Sequence, residues 1–284
     1  MYLHPPSAAY PLAAALLIST TSQIDLNVMI SNNQIHLFAK YKSPKQCDSD
    51  NLFVAEGCKL AGEVVKEHLA VRTVIALPEW LAANGASLPP SAEVLEASEA
   101  ALERVSAMRT PNQVWMLVER PSAEQILQRH PQQADSPLKA LAVDCIQDPG
   151  NMGTILRVAD WFGIRRVVCS EDTAGCFSPK VVQASMGSVM RVAVSYMPLD
   201  AYLAQCRADG TPVCGAMLDG QSIYRQPLPL GAVLLIGNES RGIAQQLRPL
   251  VDHKIKIPNL GGTCESLNAA IATGILCSEF FRQQ

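Results

Sequence analysis

Residues 138–163 read LKALAVDCIQDPGNMGTILRVADWFG, an apolar run followed by a polar turn and then by apolar positions at helical spacing. The run from Lys139 to Cys145 predicts a buried strand, and the pattern from Asn151 to Trp161 predicts a helix. The alternation continues toward the C-terminus. Further strands are predicted at 166–170, 193–196, 213–218, 233–237 and 253–257, and further helices at 178–188, 199–208, 244–251 and 266–281. Nearly continuous apolar strands separated by helices are typical of a parallel sheet covered on both faces, so residues 138–284 are predicted to form one α/β domain.

A second, smaller α/β region is predicted upstream, over residues 29–120. Its predicted strands are 52–55, 71–77 and 114–118, its predicted helices are 34–41, 56–67 and 93–105, and 43–50 is predicted to be a turn. The polar stretch 121–137, with a proline near each end, is predicted to be a linker. Residues 1–28 contain no Lys or Arg, and the composition becomes polar at Met29. We therefore expect residues 1–28 to be an N-terminal extension that folding does not require.

The composition limits the classes of protein to consider. With 284 residues, 48% hydrophobic and 17% charged, the chain is long enough and apolar enough for two folded domains. A formal net charge of −3 gives no overall basic excess, so any contact with RNA must depend on local patches. The apolar stretch from Ala13 to Ile18 is too short to span a membrane. The nine cysteines form no C-x-x-C pair, which indicates reduced thiols in a cytoplasmic protein that needs no metal.

Three polar or glycine-rich turns follow predicted strands, at Gln147–Gly153, Gly237–Gly242 and Pro258–Asn268. Ligands of open α/β sheets bind outside the carboxyl ends of the strands, so these turns are expected to form one pocket. Asn151 and Ser266 are each predicted to cap the helix that follows. Taken singly, none of the turns requires a site, because the first is also typical of a capped helix with a surface arginine, the second of a loop with an exposed acid, and the third of a capped helix. The chain has neither G-x-G-x-x-G nor G-x-x-x-x-G-K-[ST], so the usual sequence signatures of dinucleotide-binding and P-loop proteins are absent.

Together, and in this order, the turns resemble the three motifs of the SpoU (TrmH) family of RNA ribose 2'-O-methyltransferases, within the SPOUT superfamily. The first is D-P-x-N-x-G-x-x-x-R at Asp148–Arg157, the second is G-N-E-x-x-G at Gly237–Gly242, and the third joins Ile257-Pro258 to Ser266-Leu267-Asn268. The Phe-Val-Ala-Glu-Gly segment at 53–57 resembles the substrate-binding domain found in many members. The resemblance implies a SPOUT-type parallel sheet with a trefoil knot, preceded by a small ribosomal-protein-like α/β domain that binds the substrate.

The resemblance also implies a reaction, in which a methyl group passes from S-adenosylmethionine to a ribose 2'-hydroxyl of structured RNA, rRNA in preference to tRNA. Arg157 would stand at the reacting hydroxyl. Because a guanidinium stays protonated, polarising the hydroxyl and holding a phosphate suit it better than acting as a base. The other implied catalytic residues are Asn151, which would orient Arg157 or the phosphate, Glu239, which would tie the knot loops together, and Ser266 and Asn268, which would shape the acceptor site. The residues implied to contact the cofactor are Ala216, Met217, Leu218, Gly237, Ile257 and Leu267.

Family members are homodimers, which implies pairing through the C-terminal domain with the last helix at the interface. Three other classes of function remain open. A non-catalytic RNA-binding paralogue would be expected to have lost Asn151 or Arg157, and both are present. A Rossmann-type nucleotide enzyme would need the missing glycine fingerprint. A base methyltransferase of a related branch would carry other motifs, and the Ser-Leu-Asn element favours ribose.

Overall fold

The computed structural model of this chain describes residues 28–108, 110, 112–263 and 265–284. Residues 1–27 of the predicted N-terminal extension therefore lie outside the described residues, as does Cys264. The described residues form two sheets, one of four strands and one of six. Within the described ranges, no helix is both long enough and apolar enough to cross a bilayer.

The N-terminal unit, residues 28–120, is built on a mixed sheet in the order β1-β4-β2-β3. Strand β4 is antiparallel to both of its neighbours, whereas β2 and β3 are parallel. The strands are β1 (Leu52–Glu56), β2 (Val71–Ala76), β3 (Glu93–Glu96) and β4 (Val114–Glu119), and the helices are α1 (Asn32–Phe38), α2 (Pro44–Asp50), α3 (Cys58–Lys66), α4 (Pro78–Asn84) and α5 (Glu99–Val105).

Two predictions for the N-terminal unit were wrong. The predicted turn 43–50 contains helix α2, which Pro44 begins at the first helical position, where a proline is well tolerated. The predicted helix 93–105 is divided into a strand and a shorter helix. Val94 and Leu95 pair with β2, and the Ser98 side chain accepts a hydrogen bond from the Ala101 amide, so that the helix starts only at Glu99. Pairing with a neighbouring strand has overridden the local helical spacing.

The C-terminal unit confirms the predicted parallel sheet. Its order is β10-β8-β9-β5-β6-β7, and every neighbouring pair is parallel. The strands are β5 (Leu138–Val143), β6 (Arg166–Cys169), β7 (Ala193–Tyr196), β8 (Val213–Ser222), β9 (Ala232–Ile236) and β10 (His253–Lys256). Helix α6 (Ala123–Arg129) lies within the predicted linker, and α7 (Pro149–Trp161), α8 (Pro179–Ser185), α9 (Leu199–Ala208) and α10 (Ala269–Arg282) follow.

The predicted helix 244–251 is not an α-helix. Only a 3-10 turn, Arg248–Leu250, forms there. Pro249 cannot donate the backbone hydrogen bond that a helix interior requires, and the Ala244 amide donates instead to the buried carboxylate of Asp144 at 2.7 Å. The segment after β9 is therefore attached to the end of β5.

The two units pack against each other. The largest apolar cluster contains Phe53 and Val74 from the first sheet as well as Leu141 and Ile155 from the second unit. The Phe177 ring, just before α8, lies 5.2 Å from the Phe53 ring, measured between centroids. The two sheets consequently share a continuous core.

Candidate active site

The first turn places its polar groups by capping α7. Asp148, rather than the predicted Asn151, is the N-cap, and its Oδ1 accepts the Asn151 amide at 2.8 Å. Gly153 lies where α7 meets α8, because a Cβ at this position would come within 2.5 Å of the Ala184 Cβ. Since Asp148 does the capping, the side chain of Asn151 is available for other contacts.

Those contacts join all three turns. The Asn151 Nδ2 donates a short hydrogen bond to Glu239 Oε1, and Asn268 Nδ2 donates to Asn151 Oδ1 at 2.8 Å. Ser266 Oγ donates to the backbone oxygen of Glu239 at 3.5 Å, the longest contact of the group. Four of the five predicted catalytic residues therefore form one polar cluster, in which both ends of the Asn151 amide are held.

Asn268 also begins α10, a position predicted for Ser266. Its Oδ1 accepts the amides of Ala270 and Ile271 at 3.0 and 3.2 Å, while its Nδ2 reaches Asn151. One side chain thus caps one helix and fixes the beginning of another. At the far ends of the same helices, the Phe162 and Phe281 rings are 5.0 Å apart between centroids, so α7 and α10 run parallel.

Arg157, the fifth predicted catalytic residue, lies apart from this cluster. It is six residues beyond Asn151, which is about 9 Å along a helix axis. The side chain is exposed and makes no hydrogen bond or ion pair with any described residue. The predicted contact from Asn151 to Arg157 is therefore not formed, and the guanidinium is free to meet a ligand.

The second turn is held in a fixed shape. A Cβ at Gly237 would lie 2.3 Å from the backbone carbon of Gly242, so only glycine fits there. Gly242 itself has a φ of +66°. Asn238 Oδ1 accepts the amides of Ser240 and Arg241, and its Nδ2 donates to the Cys145 backbone oxygen at 2.8 Å. This closed turn positions Glu239 toward Asn151.

The residues predicted to contact the cofactor lie beside a break in the sheet. Strand β8 pairs with β9 as far as Gly215, and its pairing with β10 skips from Gly215 to Gln221. Ala216–Gly220 therefore have no partner in either neighbouring strand. Within this stretch Met217 is buried, whereas Leu218 is 76% exposed, and Leu267 is also exposed. Backbone outside the regular register of the sheet, next to uncovered apolar side chains, suits the binding of a nucleoside, which has both polar edges and an apolar face.

The structure also contains a cleft that sequence reasoning did not identify. It has a volume of about 720 Å³ and lies at the carboxyl ends of β5, β6, β7 and β9. The charged residues that line it are Asp144, Glu171, Asp172, Asp200, Arg241 and Arg248. Burial raises the pKa of Asp144, against the opposing effect of its bond from the Ala244 amide. Because carboxylates outnumber arginines four to two, this cleft would repel a phosphate backbone, and we assign the site to the cluster around Asn151.

No three His, Cys, Asp or Glu side chains are grouped to bind a metal in the described part of the chain. The independence from metal therefore stays a prediction. All the described cysteines are free thiols, and Cys58 alone among them is exposed.

A six-stranded parallel sheet with three joined turns at its carboxyl edge, preceded by a small mixed-sheet unit, defines a two-unit α/β protein with its candidate site in the second unit. Residues 139–278 match the family model of the SpoU rRNA methylase family, and residues 32–115 match that of the MRM3-like substrate binding domain. The chain belongs to the SpoU rRNA methylase family.

Individual relatives agree with this assignment. The chain is 29% identical over 246 residues to the 23S rRNA (guanosine(2553)-2'-O)-methyltransferase RlmP of Bacillus subtilis, covering 86% of this chain and 94% of that protein. A TrmH-family structure from Porphyromonas gingivalis is 39% identical with a TM-score of 0.78, covering 90% of this chain and 100% of that one. The AdoMet-bound rRNA methyltransferase of Sinorhizobium meliloti is 28% identical with a TM-score of 0.77, covering 90% and 96%.

Proposed function

We propose that this protein is an enzyme that transfers a methyl group from S-adenosylmethionine to a ribose 2'-hydroxyl of ribosomal RNA. The observation that carries the proposal is the hydrogen-bonded cluster at Asn151, which joins the three motif turns at the carboxyl edge of the sheet. Relatives that act on 23S rRNA, and a neighbour solved with AdoMet bound, support both the substrate class and the cofactor.

S-adenosylmethionine would supply a methyl group already activated on a sulfonium. The backbone of Ala216, Met217 and Leu218 would hold its adenosyl part, together with Gly237 after β9, Ile257 after β10 and Leu267 just before α10. Exposed Leu218 and Leu267 offer the apolar surface that an adenine ring covers.

Arg157 would bind the acceptor. An exposed guanidinium without a protein partner can donate to a phosphate and to the neighbouring 2'-hydroxyl at once, which fixes the ribose oxygen and polarises it. Asn151 would not orient Arg157 directly. Glu239 and Asn268 hold the Asn151 amide, so that the edge of the acceptor site stays rigid while RNA enters. Ser266, bonded to the Glu239 backbone, would complete that edge.

Residues 29–120 would form the substrate-binding domain and 121–137 the linker. The C-terminal domain would contain the trefoil knot of the family, an assignment supported by the path of its last segment. From the edge strand β10, the chain returns past the second turn, where Ser266 is bonded, to pack α10 beside α7. A cytoplasmic location is proposed as well, in keeping with free thiols and a ribosomal substrate.

The protein would act as a homodimer through its C-terminal domain. Helix α10 leaves apolar side chains uncovered, because Ile271 is exposed and Ile275 is half-buried. On the parallel helix α7, Trp161 is 85% exposed. A tryptophan exposed to this degree is more typical of a protein contact than of a solvated helix face.

The proposal is tested by mapping 2'-O-methyl groups in rRNA and tRNA from a strain that lacks the gene, with and without a plasmid copy. We expect one rRNA position to lose its 2'-O-methyl group and to regain it with the wild-type plasmid. Loss of a base methyl group, or loss in tRNA alone, would contradict the proposed reaction or substrate.

A further inference from the structure

One arginine links the two units through three carboxylates. Arg191, which follows the 3-10 turn after α8, donates from Nη1 to Glu63 Oε2 at 2.5 Å and to Glu67 Oε1 at 3.3 Å. Its Nε donates to Asp160 Oδ2 at 2.8 Å. Glu63 lies on α3 and Glu67 directly after it, both in the N-terminal unit, whereas Asp160 lies on α7, three residues after Arg157.

The link is shielded from solvent, and two of its carboxylates also contact other side chains. The side chain of Arg191 is 19% exposed, that of Glu67 is 7% exposed and that of Asp160 is 16% exposed. Arg165 binds Asp160 Oδ1 at 2.7 Å, and His130, directly after α6, contacts Glu67 Oε2 at 2.7 Å. Removing one partner from such a group leaves a poorly hydrated charge unpaired, which costs far more than breaking a surface ion pair.

The pair formed by Arg191 and Asp160 keeps its charges near neutral pH. Burial by itself would raise the pKa of Asp160, but the hydrogen bonds from Arg191, Arg165 and Ser188 and the charge of Arg191 outweigh it and hold that pKa below its usual value. Burial by itself would lower the pKa of Arg191, but Asp160 and Glu63 raise it. The guanidinium and the Asp160 carboxylate are therefore ionised together.

A second contact joins the two units at another place. The Phe177 ring of the C-terminal unit contacts both Phe53 and Arg120 of the N-terminal unit, with the Arg120 guanidinium 5.3 Å from its centroid. The two units are therefore attached to each other at two separate points. Gly187 leaves space for Glu63 in the ion pair with Arg191, because a Cβ at position 187 would lie 3.0 Å from the Glu63 side chain.

We infer that Arg191 is a positioning residue, which fixes the substrate-binding domain relative to helix α7 so that RNA held by that domain presents one chosen ribose to Arg157. This inference depends on the proposed function. The interface between the two domains then helps to select the nucleotide that is methylated. Arg191 itself would contact neither RNA nor cofactor.

The test compares Arg191→Ala with Arg165→Ala in the full-length protein. Both variants take one guanidinium from Asp160, but only the first breaks the link to Glu63 and Glu67. The probes are rRNA and large ribosomal subunits from the deletion strain, with methyl incorporation, RNA KM, methylation position and AdoMet affinity as readouts. We expect Arg191→Ala to raise the RNA KM by about tenfold or more, or to spread methylation to neighbouring riboses, with unchanged AdoMet affinity.

Arg165→Ala should keep the wild-type KM and a single methylated position, and Arg191→Lys, which keeps the charge but loses the fork, should fall between wild type and Arg191→Ala. Equal effects of Arg191→Ala and Arg165→Ala would overturn the inference, because the loss would then lie in Asp160 alone. Unchanged KM and position in Arg191→Ala would overturn it too. If Arg191→Ala fails to fold, Arg191→Lys is compared with Arg165→Ala in its place, with the same readouts. A wild-type protein that methylates no RNA would refute the proposed function instead.

Discussion

The proposed role of Arg157 depends on the chemistry of its guanidinium, because its side chain makes no hydrogen bond or ion pair with any described residue. Replacing it with alanine should reduce methyl incorporation by about a hundredfold or more, because the group that holds and polarises the acceptor is lost. AdoMet affinity should stay near wild type, since the proposed cofactor residues lie on β8 and after β9 and β10. Arg157→Lys should also fail, because a lysine cannot hold a hydroxyl and a phosphate with one planar fork. Methyl incorporation and calorimetric AdoMet titration check both variants, and near wild-type turnover in Arg157→Ala would refute the assignment.

At the scale of single residues, the sequence motifs predicted which residues form the polar cluster, but they predicted the contacts between the site residues less well. Asn151, Glu239, Ser266 and Asn268 were singled out by motif, and the structure brings them together. The expected contact between Asn151 and Arg157 is absent. Two caps were wrong for a common reason, since Asp, Ser and Asn all cap helices well and the spacing alone could not choose among neighbours.

The turn after β9 offers a test at the scale of one element. Gly237→Ala should lower the free energy of unfolding by about 1 to 3 kcal/mol, because its Cβ would overlap the backbone of Gly242 and Ile243. Gly62→Ala is the matched control. Gly62 lies within α3 with open space around it, so alanine there should stabilise by about 0.5 to 1 kcal/mol. Urea denaturation measures both, and equal stability of Gly237→Ala and wild type would contradict the close packing of this turn.

Helix α10 should make stability depend on pH through Glu279. Hydrogen bonds from Arg282, aided by Gln283, lower the pKa of Glu279 to about 2 against a smaller opposing effect of desolvation. Because the folded pKa lies below the unfolded one, this stabilisation is complete above the ordinary glutamate pKa and is lost as the pH falls toward 2. Glu279→Gln should therefore differ most from wild type at pH 7 and less at pH 4.

The control for this titration is Glu103→Gln, which changes an exposed carboxylate whose side chain has no partner among the described residues. Urea denaturation at pH 7, 5 and 4 gives the two differences in unfolding free energy. A constant difference for Glu279→Gln across this range would show that the ion pair with Arg282 does not affect stability.

Helices and strands were predicted well where the strands are buried on both faces. They were predicted less well where contacts between residues far apart in sequence determine the local structure. All six strands of the C-terminal sheet were predicted, the central ones from their apolar runs. The stretch 93–105 carries apolar residues at helical spacing, yet the edge of β2 recruits Val94 and Leu95 into a strand. The stretch 244–251 has helical composition, but the bond from Ala244 to Asp144, about a hundred residues away in sequence, holds it in turns.

At the scale of the whole molecule, self-association is the next property to measure. Trp161→Glu should shift the protein from dimer toward monomer in sedimentation velocity, because it places a charge on the most exposed apolar side chain of α7. Leu230→Glu is the control, since Leu230 is 68% exposed but lies before β9, outside α7 and α10. Equal dimer content in both variants would contradict an interface at these helices.

The existence of two domains was predictable from the alternation of elements and from two groups of motifs, but their joint was not. Arg191 lies 128 and 124 residues after Glu63 and Glu67, and neither these residues nor Asp160 belong to a pattern that distinguishes them from surface charges. The cleft lined by Asp144 and Asp172 was missed because its residues come from four separate strand ends. Only the folded chain brings such groups together.

The most direct test of the proposed reaction supplies isotope-labelled AdoMet and unmodified rRNA to the purified protein and digests the product to nucleosides. The site geometry and the family predict that the label is recovered in a 2'-O-methylribonucleoside from one rRNA position, and that it disappears with Arg157→Ala. Label recovered on a base, or no label in RNA from a folded wild-type protein that binds AdoMet, would contradict ribose 2'-O-methylation as the function of this site.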